Sequence, residues 1–178
     1  RATFRLRGGA CRALGYGGTS DAATPITSIL QDRGQPAELR REAALALGDL
    51  PAGGSATALV DALRDEDPWV RAGSAASLGM LRISASIPRL IACLSKGHAI
   101  VSAGAAYGLA RLRAPAAIEP LLSLLDALLE EDRQGRPGRN SPTWGDIEHV
   151  LRRIIEALGA LRVEAAAPRL VSLLDRKR

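Results

Sequence analysis

The stretch LRREAALALG, from Leu39 to Gly48, decides how this chain folds. Leu39, Ala43, Ala44, Ala46 and Leu47 stand at i, i+4, i+5, i+7 and i+8, which puts them on one stripe of an α-helix. Working outward from it, four more segments align on the same pattern. They are LRGGACRALG (Leu6 to Gly15), VRAGSAASLG (Val70 to Gly79), VSAGAAYGLA (Val101 to Ala110) and VLRRIIEALG (Val150 to Gly159). Their ends are 33, 31, 31 and 49 residues apart, the last a 31-residue unit lengthened by 18. Self-similarity at such a period is the mark of a stacked-repeat architecture.

A second helix is expected after each segment. Its inward residues are Ala56, Leu59, Val60 and Leu63 in the second repeat and Ile87, Leu90, Ile91 and Leu94 in the third. The fourth supplies Ile118, Leu121, Leu122 and Leu125, and the fifth Ala167, Leu170, Val171 and Leu174. Pro25, Pro88, Pro120 and Pro168 fall in the first turns of these helices, where a missing N–H costs little. The glycine ending each first helix is expected to take the left-handed conformation. A leucine two residues on (Leu50, Leu81, Leu112, Leu161) should fold back onto the pair. One helix pair cannot bury its own apolar face, but about five stacked pairs bury a continuous core.

Composition agrees. Hydrophobic residues make up 47% of the 178, which excludes disorder, yet aromatics are only 3%, so Ala, Leu, Ile and Val must build the core. The net charge of +5 comes from 24 basic and 19 acidic residues, so both signs are abundant. That balance permits nucleic-acid binding without requiring it. Cys11 and Cys93 form no CxxC motif; Cys11 is assigned to the core and Cys93 to an exposed face, both as free thiols of a cytoplasmic protein. No run of about 18–20 apolar residues is present to span a membrane.

The pattern V-R-x-x-A-A-x-A-L-G-x-L followed by A-I-P-x-L-I-x-x-L, introduced by Asp67-Pro68-Trp69-Val70-Arg71, resembles the HEAT-like repeats named after phycobilisome lyases. The resemblance implies an all-α, right-handed α-solenoid of about five HEAT-like helix pairs in a single domain. The repeats would occupy residues 2–33, 36–66, 67–97, 98–129 and 146–178, with a loop insertion at 130–145. It also implies that the Arg after the first core residue (Arg7, Arg40, Arg71) pairs with an acid near the end of the preceding helix (Asp32, Asp65). Ser102 and Leu151 replace that Arg in the last two repeats, so the ladder should be interrupted there. Repeat one begins almost at residue 1 without a polar capping helix, which suggests that the array continues N-terminally or that this end packs on something.

The resemblance fixes architecture, not activity. A bilin-handling site should gather aromatic and polar groups, whereas Phe4, Tyr16, Tyr107, Trp69 and Trp144 are scattered along the sequence. HEAT-like di-iron hydroxylases carry several His-Glu pairs, while only His98 and His149 occur here, both expected as plain surface residues. No catalytic, metal or cofactor site is therefore expected, and the function indicated is binding of a protein partner. A bilin-lyase-like accessory role and nucleic-acid binding are the alternatives.

In this family the second helices line the concave face. There the outward residues Asp32, Asp61 and Asp65 make an acidic end, and Arg89, Lys96, Arg169 and Arg176 a basic one. Such a bipolar trough suits a protein segment of mixed charge. The insertion, with Arg133, Arg136, Arg139 and Trp144 among Gly, Pro and Asn, offers a second contact.

Overall fold

Five helix pairs, stacked in chain order, make up the computed structural model, which describes residues 2–18, 20–50, 56–94, 98–133 and 142–174. The pairs are α1 (Ala2–Gly17) with α2 (Ala23–Gln31), α3 (Ala37–Asp49) with α4 (Ala56–Ala62), and α5 (Pro68–Met80) with α6 (Ile87–Ala92). Next come α7 (Ala99–Leu112) with α8 (Ile118–Arg133) and α9 (Pro142–Ala160) with α10 (Ala167–Leu174). The first helices α1, α3, α5, α7 and α9 stack each on the next. One cluster of buried side chains runs from Cys11 to Ala166.

The inward stripe is as the periodicity predicts: Leu39, Ala43, Ala44, Ala46 and Leu47 are all fully buried. Leu59, Leu90, Leu121 and Leu125 of the second helices are fully buried too, and the four prolines sit in first turns. The last repeat departs from the pattern, because Ala167 and Val171 are exposed and Ala166 is buried instead. At the other end Leu6, Leu14 and Tyr16 of α1 are exposed. Cys11 is in the core, whereas Cys93 is half-buried rather than on an open face. Both ends of the stretch assigned to the loop insertion are helical: α8 extends to Arg133 and α9 begins at Pro142.

Glycine plays a different part from the one expected. Gly18, just past α1, takes the left-handed conformation, with φ of 65°. Gly48, Gly79 and Gly159, however, lie inside the last turns of their helices, and the left-handed residues of the last three repeats are Arg82, Arg113 and Arg162, with φ of 57°, 48° and 53°. Each closes a Schellman motif, as in Arg82 N–H to Gly79 O at 3.1 Å and Ile83 N–H to Leu78 O at 3.1 Å. What Gly48, Gly79, Gly104 and Gly108 provide is nearness, whereas a Cβ on Gly159 would meet nothing within 4 Å. A Cβ on Gly79 would stand 2.3 Å from Gly108 Cα, and one on Gly104 would stand 2.4 Å from Ala72 O. Successive first helices thus touch backbone to backbone. Ser77 Oγ, fully buried, donates to Ala44 O of the preceding first helix at 2.8 Å.

At the opposite end of α5, Asp67 Oδ1 accepts from Trp69 N–H at 2.9 Å and Val70 N–H at 3.0 Å, with Pro68 as the first helical residue. This cap fixes Trp69 in the first turn of α5.

Candidate partner-binding groove

Among the described charged residues assigned to the second-helix face, one is buried. Asp32, Asp61 and Arg89 are exposed, but Asp65 is only 2% exposed and cannot meet a partner. Ala58, Ala62 and Leu124 of the second helices are buried as well. Arg133, Trp144 and Arg169 stand in α8, α9 and α10, while Lys96, Arg136, Arg139 and Arg176 lie outside the described residues.

Asp65 is buried because it is consumed by arginines. Arg40, itself 2% exposed, binds it in fork geometry: Nε to Oδ2 at 3.1 Å and Nη2 to Oδ1 at 2.9 Å. Arg33 adds an ion pair, and Asp67 N–H donates to Oδ1 at 2.9 Å. Desolvation would raise the carboxyl pKa, but these hydrogen bonds and the Arg40 and Arg33 charges outweigh it and hold the pKa below the ordinary value.

The implied ladder is therefore displaced by one step. Arg40, not Arg71, takes the Asp65 carboxylate, and Arg71 Nη1 donates to the Asp65 and Glu66 carbonyls at 2.6 and 2.9 Å. Asp32 accepts from Gly34 N–H and Gln35 Nε2, and Arg7 Nη1 donates to Gln35 Oε1. Where Ser102 replaces the arginine, its Oγ donates to Cys93 O at 3.3 Å.

The groove the structure does show lies on the first helices. Starting from Trp69, the residues at i+3, i+4, i+7 and i+11 are Ala72, Gly73, Ala76 and Met80, one stripe of α5. Ile100, Ala103, Gly104 and Tyr107 repeat the stripe on α7. Together with Arg41 and Leu45 from α3 and His149 and Arg153 from α9, they line a hollow of about 480 Å³. Its centre is small and apolar and its two ends are basic.

Each end has the same construction. The Arg41 guanidinium carbon lies 5.6 Å from the Trp69 ring centre, and that of Arg153 lies 5.3 Å from the Tyr107 ring centre. Each arginine also meets a carboxylate behind the hollow: Arg41 to Glu42 at 3.1 Å and Arg153 to Glu156 at 2.9 Å. Arg41 Nε is buried and unpaired among the described residues. His149 Nδ1 accepts from Arg152 Nη2 at 3.0 Å. Among the described residues, no carboxylate lines the hollow. Such a lining recognises by apolar burial, by stacked cations and by guanidinium hydrogen bonds.

Two expectations change here. Trp69 and Tyr107, 38 residues apart in sequence, share one cavity rather than being scattered. His149 is half-buried in its wall, not a plain surface residue. A signal for the groove was present. The outward stripe of an exposed helix should be polar, yet in α5 and α7 it holds no charged residue.

Residues 56–135 match the family model for HEAT repeats, and residues 150–176 match the model for the PBS lyase HEAT-like repeat. No curated protein matches the sequence. Among solved structures, the complex of CpcE and CpcF of phycocyanin lyase from Nostoc sp. PCC7120 is similar, with a TM-score of 0.66 and 25% identity. The match covers 98% of this chain and 66% of that one, so the chain spans just under two thirds of its neighbour's length.

Proposed function

Because the chain is a HEAT-like repeat protein of the PBS lyase HEAT-like repeat family, we propose that it holds a protein partner in the groove across its first helices. The observation that carries this reading is the uncharged stripe of α5 and α7, half-buried at Ala76, Met80, Ile100 and Gly104, that floors the hollow between Arg41–Trp69 and Tyr107–Arg153. Trp69 is 48% exposed and stands at the rim of that hollow. Trp, Tyr and Arg are the residue types that dominate binding energy at protein interfaces. The structural neighbour is itself a complex of two chains, which supports a protein as the partner.

The test compares three forms of the chain as bait in a native extract: wild type, Ala76→Leu and Arg89→Glu. Ala76 lines the hollow, so added bulk there should abolish recovery of the partner. Arg89 is exposed on the second-helix face, and reversing its charge should leave recovery unchanged. The opposite pattern would transfer binding to the second-helix trough of Asp32, Asp61 and Arg89.

A second reading is favoured by one observation, the meeting of Trp69, Tyr107, His149, Arg41 and Arg153 around a single hollow. Aromatic faces and guanidiniums suit an open-chain tetrapyrrole with carboxylate arms, which fits a lyase-like accessory role. A shift in the bilin absorbance on titration with wild type, absent with Ala76→Leu, would support it. An unchanged spectrum would remove it.

A further inference from the structure

We infer that the occupant of the groove is an acidic amphipathic α-helix, lying across α5 and α7 with one carboxylate at each basic end. This rests on the groove being the partner site and says what kind of segment fills it. Two features select a helix. The floor consists of helices whose backbone groups already bond one another, and Ala72, Gly73, Ala76, Ala103 and Gly104 add no polar side chain to it. An extended segment laid there would leave its own N–H and C=O groups unpaired, whereas a helix satisfies them internally. Small residues in the floor also let a helix axis come close.

Charge selects the chemistry. The Arg41 guanidinium lies over an aromatic ring of α5 and that of Arg153 over a ring of α7, so both cations lean in over the apolar floor. Glu42 and Glu156, which each pair with one of these guanidiniums, are not among the residues lining the hollow. A carboxylate brought by the partner would meet each guanidinium from the open side. Arg41 and Arg153 belong to first helices three steps apart, at roughly 8–10 Å per step, and the inward lean shortens the span. Two acids about three helical turns apart, roughly 16 Å at 1.5 Å per residue, bridge that distance.

The test uses the full chain and a synthetic helical peptide of about 18 residues with an Ala/Leu face and two glutamates about 11 residues apart. Binding is read by fluorescence anisotropy at low and high salt. The glutamate probe should bind wild type, weaken with salt, and lose about two- to fivefold of its affinity in each of Arg41→Gln and Arg153→Gln. A glutamine version of the peptide should bind less tightly and be indifferent to both substitutions, which also shows that the variants are folded. A peptide with a central proline should not bind. Equal binding of the glutamine or proline peptide, or no binding of the glutamate probe, overturns the inference. If Ala76→Leu still abolishes recovery of the native partner in that event, the groove reading stands and only the nature of its occupant falls.

Discussion

Two joints of the stack do the same job with opposite chemistry. Between the first three repeats, the buried Arg40–Asp65 pair, with the exposed Arg33 on the same carboxylate and Arg71 on the Asp65 carbonyl, forms an ionic node that ties the 33–35 turn, α3, the 65–67 turn and α5 together. Between the third and fourth repeats, α5 and α7 meet through Gly79, Gly108, Gly104 and Ala72, with no side chain between the backbones. The comparison teaches that a repeat contact can be specified either by a charge that must find its partner or by a side chain that must be missing. The two joints should therefore fail under different insults.

The largest effect is expected at the ionic node. Asp65→Ala strands a guanidinium that is only 2% exposed, and breaking a buried pair from one side costs about 3–5 kcal/mol. Urea unfolding measures it. Replacing both partners, Arg40→Met with Asp65→Leu, should restore much of that loss, because the penalty belongs to the unpaired charge. A single substitution costing less than about 1 kcal/mol would mean that the node is not a fastening at all.

The dry joint comes next. In Gly79→Val the new Cβ would fall 2.3 Å from Gly108 Cα, so α5 and α7 must move apart. Overpacking of this kind costs about 1–3 kcal/mol. The loss should be the same at high and low salt, unlike any loss at the surface charges. An unfolding midpoint equal to wild type would show that the two helices can separate freely.

Acid should distinguish the joints more gently. Asp65 is held below the ordinary carboxylate pKa, so it favours folding in its ionised form. Its contribution is complete above the unfolded value of about 3.9 and is lost as pH falls through the lower folded value. Wild-type melting temperature should therefore fall more steeply below about pH 4 than that of Asp65→Asn, which has already lost the term. Parallel curves would remove Asp65 as the acid-sensitive element. Gly79→Val should run parallel to wild type, since it leaves the node intact.

The same contrast explains what could be read in the sequence. Leu39, Ala43, Ala44, Ala46 and Leu47 are recognisable because burial on a helix repeats locally, at spacings visible within ten residues. Asp65 was misplaced because an acid at an outward phase is normally solvated, and what buries it is Arg40, 25 residues away. The glycines were misread for a related reason. A helix-ending glycine normally signals a left-handed turn, as Gly18 does, but in the last three repeats arginine accepts that conformation, and Gly48 and Gly79 answer to the neighbouring helix. The groove is hard to read because its signal is a lack of charge along one stripe of α5 and α7, not the presence of a motif. Which residues close its ends, Arg41 and Arg153, depends on how repeats stack, and no single repeat encodes that.

Two glycines of α5 offer the finest version of the comparison. Gly79 faces α7 and has no room, whereas a Cβ on Gly73 would make only ordinary contacts, 3.6 Å to Leu45 Cδ2 and 3.7 Å to Arg41 Cγ. Both have helical backbone, so alanine at either position removes the same excess of unfolded-chain entropy. Their signs should nevertheless differ. Gly73→Ala should stabilise by up to about 1 kcal/mol, the propensity gain of Ala over Gly in a helix. Gly79→Ala should destabilise, because the displaced backbone outweighs that gain. Calorimetric melting temperatures of the two variants measure the difference in one experiment. If both rise, the α5–α7 joint has slack, and the missing side chain at Gly79 is not what sets the spacing of the groove floor.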